Sequence, residues 1–401
     1  MSSVLHFPST PASISTADAL ALAEPLARQL ADTAIARDQA GGHAAAQREL
    51  IRDSGLLALT VPTALGGLGA SWPTFYRVLR RLAQADSALA HVFGFHHLQL
   101  ASVQLYGTAE QQRRLLGDTL RHRWFWGNAL NPLDRRLRAV DTPQGYRLDG
   151  VKSFASGSVG ADMLTFSAWH DGAQAALIGV LRADTPGVAV QTDWDAFGQK
   201  QTDSGTVAFD AVALALADVL QPPGRVPTPR ATLRQQIAQL ILVHLYVGIA
   251  QGALQAGLGF TRDDARPWFQ SGVAAAVDDP YVQHRWGDLW LQVRPAEVLA
   301  DAATIALQQA LDRGEALTFD ERGEVAIAVA EAKVLAHRAA LSVSSQLFEL
   351  AGARATSGRY GLDRFWRNAR VHTLHDPVDY KLRDLGRHAL TGAWPEPTPY
   401  S

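Results

Sequence analysis

The chain has 401 residues, which is more than one compact core usually contains, so we expect two or three cooperating units. Hydrophobic residues make up 47%, charged residues 19%, and the net charge is −2, a balance that argues against a nucleic-acid partner. Cysteine is absent, which excludes disulfides, thiolate catalysis and zinc–cysteine sites and predicts a reducing, cytoplasmic location.

The first third of the chain is predicted to be helical. After a loose leader, residues 1–15, apolar residues recur at helical spacing to about Arg37, with Ser15 or Thr16 available as the cap. A second helix is predicted to begin near Ala44, and Ser71 is predicted to cap a third.

A strongly apolar segment, Ala88–Tyr106, completes this helical part. It places His91 and Phe95 four residues apart, on one helical face, so one imidazole points inward. Taken alone, such a histidine is explained at least as well by a hydrogen-bonded core position as by catalysis.

The composition and periodicity of the sequence change near His122. Short runs rich in aromatic and β-branched residues alternate with Gly, Asp, Pro and Asn until about Phe209. This pattern predicts a β-barrel or sandwich domain, and the following Pro222-Pro223-Gly224 predicts a linker.

After the linker the pattern is helical to the end of the chain. The most apolar run, around Ile237–Ala250, is interrupted by Gln239 and His244, so we interpret it as a buried helix and expect no membrane segment. We therefore predict three units: an N-terminal helical domain, a central β domain and a C-terminal four-helix bundle, with the bounds 1–121, 122–222 and 223–401.

The segment Arg364–Pro377 concentrates cations, imidazoles and a carboxylate around a predicted helix break. Pro377 disfavours helical geometry at the residue before it, so Asp376 should lie where a helix ends. His372 and His375 are three residues apart and would share a face if the segment is helical, which suggests an acid–base site.

Three other interpretations of this segment stay open. The arginines could form a solvated face over packed histidines, or His372, His375 and Asp376 could be the ligands of a metal hydrolase, although such a site needs a further well-placed ligand. A cofactor-free helical scaffold is the remaining possibility, since a fold never proves an activity.

With these motifs in view, the chain resembles the acyl-CoA dehydrogenase superfamily of flavoproteins. The resemblance is carried by Tyr106–Gln111, by Leu148–Ser156 and by Asn368–Pro377, which are similar to the Gly-Thr-x-Glu-Gln turn, the flavin strand and the catalytic-base region. It implies a mainly α fold with a central β domain and a homotetramer.

Within that superfamily, the chain is most similar to the dibenzothiophene monooxygenase branch. The similarity lies in Trp194–Gln199, Thr202–Val207 and Trp366–Pro377. It implies reduced FMN supplied by a separate NAD(P)H-flavin reductase, O₂, a C4a-hydroperoxyflavin and a small organosulfur substrate. The alternative is an FAD-dependent acyl-CoA dehydrogenase or oxidase with Asp376 as the base, one methylene shorter than the family's usual glutamate.

The resemblance also implies roles for individual residues and no metal site. The catalytic groups would be His91, Ser156, His372 and His375; the flavin would contact Asn128, Phe154, Ser156 and Arg266; and the substrate pocket would include Phe95, Trp194 and Asp376. Phe95 stands where the branch has a tyrosine, which predicts a different substrate or proton path. Arg266 could instead form a surface ion pair with Asp263 or Asp264.

Overall fold

Helices dominate the computed structural model, which describes residues 12–401. Residues 1–11 of the predicted leader therefore lie outside the described residues. The α-helices of the described part are α1 Thr16–Ala40, α2 Ala45–Asp53, α3 Trp72–Ala85, α4 Ser87–Tyr106, α5 Ala109–His122, α6 Pro229–Asp263, α7 Pro280–Asp312, α8 Phe319–Ala351, α9 Asp363–Thr373 and α10 Val378–Thr391.

Side-chain caps determine where the early helices begin. The Ser15 hydroxyl accepts a hydrogen bond from Asp18 N at 3.1 Å, and Ser71 accepts one from Thr74 N at 3.4 Å. Thr108 starts α5 with a reciprocal capping box. These bonds satisfy backbone N–H groups that a first helical turn leaves free, and they confirm the predicted caps of α1 and α3.

Helix α4 is the centre of the helical part. Every residue from 87 to 103 is buried, and the helix packs against α3, α6 and the first strand of the sheet. A helix that is apolar all round belongs in a core, so His91 and Phe95 lie in the interior, as the sequence predicted.

A single sheet occupies the middle of the chain. Its eight strands in the described residues are β1 Trp126–Ala129, β2 Arg138–Thr142, β3 Gly145–Lys152, β4 Met163–His170, β5 Ala175–Arg182, β6 Val188–Val190, β7 Val207–Ala215 and β8 Val219–Gln221. The order is β6-β7-β3-β2-β4-β5-β8, with β1 beside β4. β4 pairs in parallel with β1 and β2, and the remaining pairs are antiparallel.

The helices after the sheet pack as a bundle. α6, α7 and α8 are 35, 33 and 33 residues long, and the shorter α10 packs on α8. α6 is long and apolar enough to cross a membrane by length and composition, but 89% of its most apolar window is buried inside the protein. It is a core helix, in agreement with the sequence, and it also contacts α3 and α4.

We propose that the three predicted units are the folding units of the chain. α5 ends at His122, the strands lie between Trp126 and Gln221, and α6 starts at Pro229, so the changes of structural class fall close to the proposed bounds. Both joints between these units, 123–125 and 222–228, consist of only a few residues.

Small residues let α6 approach the first helical unit closely. A Cβ atom built on Gly248 would lie 2.5 Å from the Cβ of Ala83 and 2.9 Å from Arg80 O, both on α3. A Cβ on Gly252 would lie 2.6 Å from Gln84 O. These contacts are shorter than any real side chain tolerates, so the two glycines set the distance between α3 and α6.

The substitution Gly248→Ala should therefore lower the free energy of unfolding by about 1–3 kcal/mol through overpacking, despite the higher helix propensity of alanine. The matched control is Gly259→Ala on the same helix, where a Cβ meets nothing within 4 Å. That variant should be stabilised by about 0.5–1 kcal/mol. Urea unfolding of both variants measures the difference, and equal midpoints would contradict this account of the packing.

Candidate active site

A large cleft, with a volume of about 1010 Å³, opens between the sheet and the helices. Its walls come from α4, the ends of β1 and β3, the segment 193–206, the start of α6 and the end of α9. Of the ten residues predicted for the site, the cleft is lined by His91, Phe95, Asn128, Phe154, Ser156, Trp194, His372 and His375. Its volume is at the upper end of the range for ligand pockets, so it has room for a large heteroaromatic ligand beside a small one.

Three hydroxyl groups form a row on the sheet side of the cleft. Ser156 Oγ lies 2.8 Å from Ser204 Oγ, which lies 2.7 Å from Thr202 Oγ1, and Thr202 donates its proton to Gln199 O at 3.0 Å. Ser204 Oγ also lies 3.5 Å from Thr202 O. Each hydroxyl has one proton, so the arrangement in which Thr202 bonds Gln199 O and all three hydroxyls are linked has Ser204 donating to Thr202 and Ser156 donating to Ser204. Ser156 therefore presents only acceptor lone pairs to the cleft.

Backbone hydrogen bonds fix the segment that carries Ser156. Asn128 N donates to Ser156 O at 2.9 Å, which ties the segment to β1, and Ala155 N donates to Gly205 O at 3.0 Å. The neighbouring Phe154 has φ 55°, in the left-handed region that a residue with a side chain rarely adopts. Its exposed ring packs edge-on against Trp194, with 5.9 Å between the ring centroids, and the two rings form an aromatic wall of the cleft.

The segment that follows Trp194 is anchored on both sides. Gln199 N donates to Asn368 Oδ1 of α9 at 2.6 Å. The Asp203 carboxylate is 3.4 Å from the Arg48 guanidinium and 2.8 Å from His43 Nδ1. Gln199 and Asp203 both have positive φ, of 52° and 49°, so these contacts hold a strained loop in place.

Two imidazoles from different helices meet in the cleft. The His91 ring of α4 stacks on Phe95 with 4.0 Å between centroids and meets the His372 ring of α9 edge-on at 4.7 Å. Within the described residues, none of their four ring nitrogens has a hydrogen-bond partner. Burial lowers the pKa of His91 well below its usual value and that of His372 to about 3. Both rings are therefore neutral at neutral pH, and each keeps one N–H and one lone pair for a ligand.

His375 reaches the cleft from a turn and not from a helix. α9 ends at Thr373, so the predicted shared helical face of His372 and His375 does not exist, because Pro377 ends the helix early. His375 Nδ1 is 2.9 Å from Asp376 Oδ1, and a carboxylate can only accept, so the proton is on Nδ1 and Nε2 is free.

Asp376 is buried behind the cleft and is not one of its lining residues, so its predicted contact with the substrate stays a prediction. Its carboxylate oxygens lie 2.5 and 2.6 Å from Lys333 Nζ of α8, and the same ammonium donates to Gln239 Oε1 of α6 at 2.5 Å. Burial alone would raise the pKa of Asp376, but the hydrogen bond from His375 and the charge of Lys333 outweigh it and hold that pKa below its usual value. A carboxylate held in this way is a weak base.

Metal binding gains no support from these residues. Among residues 12–401, no group of three His, Asp or Glu side chains is arranged to hold an ion. Asp376, one of the ligands considered from the sequence, is occupied by Lys333.

Arg266 is exposed on the loop after α6 and lies outside the cleft of this chain. It makes no ion pair with Asp263 or Asp264 in the described structure, where Asp264 instead lies 3.7 Å from Arg354. Its predicted contact with the flavin phosphate therefore stays a prediction, and within one chain the cleft residues do not include it.

Sequence reasoning missed several polar groups of the site. Ser204 and Thr202 belong to a quoted motif but received no role, Gln239 was noted only as an interruption of an apolar run, and Lys333 and Arg234 were not singled out. The available signal was a lone polar or charged residue within the apolar helices α6 and α8. Such a residue is buried only when a partner or a ligand compensates it.

Two family models match the chain. The model described as acyl-CoA dehydrogenase, N-terminal domain, matches residues 20–123, and the model described as acyl-CoA dehydrogenase, C-terminal domain, matches residues 240–380. Together they cover the helical parts on both sides of the sheet.

Similar proteins are also known. The chain is 44% identical to a probable FMNH2-dependent monooxygenase SfnC of Pseudomonas putida, over 96% of this chain and 97% of that protein. It is 42% identical to a dibenzothiophene monooxygenase of Rhodococcus erythropolis, over 95% of each. The solved structure of methanesulfinate monooxygenase MsuC from Pseudomonas fluorescens superposes with a TM-score of 0.93 at 44% identity, covering 95% of this chain and 99% of that one.

The buried ion pair gives a stability prediction. Lys333→Met should cost about 3–5 kcal/mol of unfolding free energy, because it leaves the Asp376 carboxylate buried without a cation. Adding Asp376→Asn should recover part of that loss. The double variant should therefore lose less unfolding free energy than the sum of the two single losses. A urea double-mutant cycle measures the coupling, and additive effects would show that the pair does not interact.

The buried histidine gives a pH prediction. The pKa of His372 is about 3 in the fold and about 6.5 in the unfolded chain, so its contribution is fully present above pH 6.5 and is lost as the pH falls from there towards 3. Between pH 6 and 5, His372→Asn should reduce the slope of unfolding free energy against pH by up to about 1.4 kcal/mol per unit. Urea titrations at these pH values test it, and an unchanged slope would place the imidazole in water.

Proposed function

The chain belongs to the acyl-CoA dehydrogenase family, as its motifs predicted, and we propose that it is an FMNH2-dependent monooxygenase of a two-component system. Its proposed reaction adds oxygen to a small organosulfur compound. One O₂ and one FMNH2 are consumed; one oxygen atom joins the substrate, the other leaves as water, and FMN is released.

The observation that carries this proposal is the state of Asp376. A dehydrogenase of this family needs a free carboxylate base at the cleft, whereas Asp376 is buried and bound by Lys333 and His375. The cleft instead presents neutral imidazoles and a hydroxyl row, which can hold and move a single proton without abstracting one from carbon.

The residues of the cleft fit a reduced flavin. Ser156 is left as an acceptor by its own hydrogen bonds, and the N5 position of reduced flavin carries an N–H that oxidised flavin lacks. Phe154 and Trp194 supply an aromatic wall, and Asn128 lines the same cleft. When bound, FMNH2 supplies the electrons and the reaction with O₂; the protein supplies orientation and exclusion of water.

His91, His372 and His375 would manage the proton. The first two are neutral and unpartnered, so either can donate its N–H or accept at its lone pair, while His375 offers Nε2 with its other nitrogen fixed by Asp376. Phe95 has no hydroxyl, so it can only pack against His91. We propose that the three histidines are catalytic, and this arrangement supports the proposal.

The proposed partners follow from the chemistry. A separate NAD(P)H-flavin reductase would supply FMNH2, and the cytoplasm is the proposed location because such a reductase needs NAD(P)H. We further propose a homotetramer: Leu291, Val298 and Ile305 recur every seven residues on α7 and are exposed, which is the pattern of a helix–helix seam between copies.

The role of Ser156 is testable by flavin binding and by product formation. Ser156→Ala should weaken the binding of reduced FMN roughly tenfold, since one acceptor for the N5–H is lost. The affinity for oxidised FMN should change by no more than about twofold. The matched control is Ser158→Ala, whose hydroxyl is buried outside the cleft lining. Anaerobic fluorescence titration gives the affinities, and equal losses for both redox states would contradict the acceptor role.

The reaction itself is tested with the wild-type protein, a flavin reductase, NADH and ¹⁸O₂. Mass spectrometry should show one labelled oxygen in an organosulfur product such as a sulfoxide. If instead FAD binds tightly and an acyl-CoA bleaches it, the protein is a dehydrogenase with Asp376 as an unusual base, and the proposal fails.

A further inference from the structure

Arg234 is a buried cation in the cleft wall that has no carboxylate partner within the described residues. Arg234 lies in the second turn of α6, lines the cleft and is only 6% exposed. Its Nε donates to Ser102 Oγ at 2.7 Å, and its Nη2 is buried without any acceptor. Within residues 12–401, no carboxylate forms an ion pair with it.

Other buried arginines of the described chain are compensated. Arg80 forms a salt bridge with Asp301 at 2.9 Å, and Arg48 contacts Asp203 and backbone carbonyls. Arg322 donates to a threonine hydroxyl and to two backbone carbonyls. A buried cation without an anion costs several kcal/mol, so an anionic ligand at Arg234 would remove a real penalty.

The position of Arg234 separates it from the hydroxyl row. His91, Phe95 and Leu98 face the cleft along α4, and Ser102, which holds the guanidinium, follows one turn later. At 1.5 Å per residue, the eleven residues from His91 to Ser102 span about 16 Å along the helix axis. Phe95 and Leu98 line this stretch from α4, and Gln235 and Gln239 line the cleft from α6, so the cationic guanidinium lies well separated along α4 from the neutral histidines.

We propose that Arg234 binds an anionic group of the substrate, so that the substrate is an elongated organosulfur acid. Its sulfur lies at the histidine end, and its carboxylate, sulfinate or sulfonate lies at Arg234, with an apolar segment between them. A one-carbon sulfinate cannot reach both ends. This inference rests on the proposed function for the identity of the reacting atom, but not for the anion site.

The anion site can be tested without turnover. Octanoate should raise the thermal unfolding midpoint of the flavin-free protein more than octanol, because only the acid can pair with Arg234. Arg234→Gln should abolish that difference, and Arg234→Lys should retain part of it by keeping the charge. The matched control is Arg230→Gln on the same helix, where Arg230 lies 3.4 Å from Glu315 at the surface and lies outside the cleft lining.

The substrate assignment is tested with 6-(methylthio)hexanoate and its uncharged methyl ester. Arg234→Gln should raise the KM of the acid about 10- to 100-fold, the range for a lost charged hydrogen bond, while kcat and the KM of the ester stay within twofold. Far-UV circular dichroism checks that the variant folds, and Arg234→Lys gives an independent measure if it does not.

A second source of anion is the flavin phosphate. Reduced FMN and reduced riboflavin differ only in that group. If Arg234 binds the substrate, Arg234→Gln should change the affinities for both flavins equally. A selective loss of affinity for FMN would assign Arg234 to the cofactor and overturn the substrate assignment.

The anion site at Arg234 and the monooxygenase activity are refuted by different results. Identical responses of wild type and Arg234→Gln to octanoate and to the thioether acid, with oxygenation intact, would overturn the anion site alone. An octanoate effect that needs Arg234 supports the site whether or not oxygenation occurs; absence of oxygenation with the acid, the ester and any other thioether would refute the monooxygenase assignment.

Discussion

The ammonium of Lys333 lies in the interior, where it has lost its hydration, and it is tolerated there because three oxygen atoms surround it. Two belong to Asp376 and one to Gln239, so a single cation joins α8, the turn after α9 and α6. That turn also carries His375, whose ring is oriented by the same carboxylate. The position of His375, one of the proposed proton carriers, therefore depends on the buried ion pair between Asp376 and Lys333.

The same pairing separates this chain from the dehydrogenases that share its fold. A carboxylate that must abstract a proton has to be accessible and only weakly stabilised as an anion, whereas Asp376 is inaccessible and strongly stabilised. A cleft with neutral imidazoles and no accessible base at this position is suited to a reactive cofactor, which must be kept from water and from unwanted proton transfer. One fold can thus support two chemistries, and the state of Asp376 is one feature that suits this chain to the proposed one.

The opposite wall of the cleft has a direction built into it. Because Thr202 gives its proton to a backbone carbonyl, every hydroxyl in the row donates away from the cleft, and Ser156 ends as an acceptor. Backbone and side-chain hydrogen bonds, including Asn128 N to Ser156 O and Gln199 N to Asn368 Oδ1, hold this row in position although Phe154 and Gln199 have positive φ. The cleft therefore offers a hydrogen-bond acceptor at Ser156 and an unpaired positive charge at Arg234, and we expect it to select ligands by both.

Local sequence determined much of this protein. Helix starts followed from Ser15, Ser71 and Thr108, whose side chains bond within their own first turn, and the succession of helical, β and helical parts followed from periodicity. Eight of the ten site residues proposed from the sequence line one cleft. Only the tertiary structure decided the state of Asp376, the direction of the hydroxyl row and the isolation of Arg234. Each of these depends on a partner distant in the sequence, such as Lys333 or Ser102, and no local pattern records which side chains meet across helices.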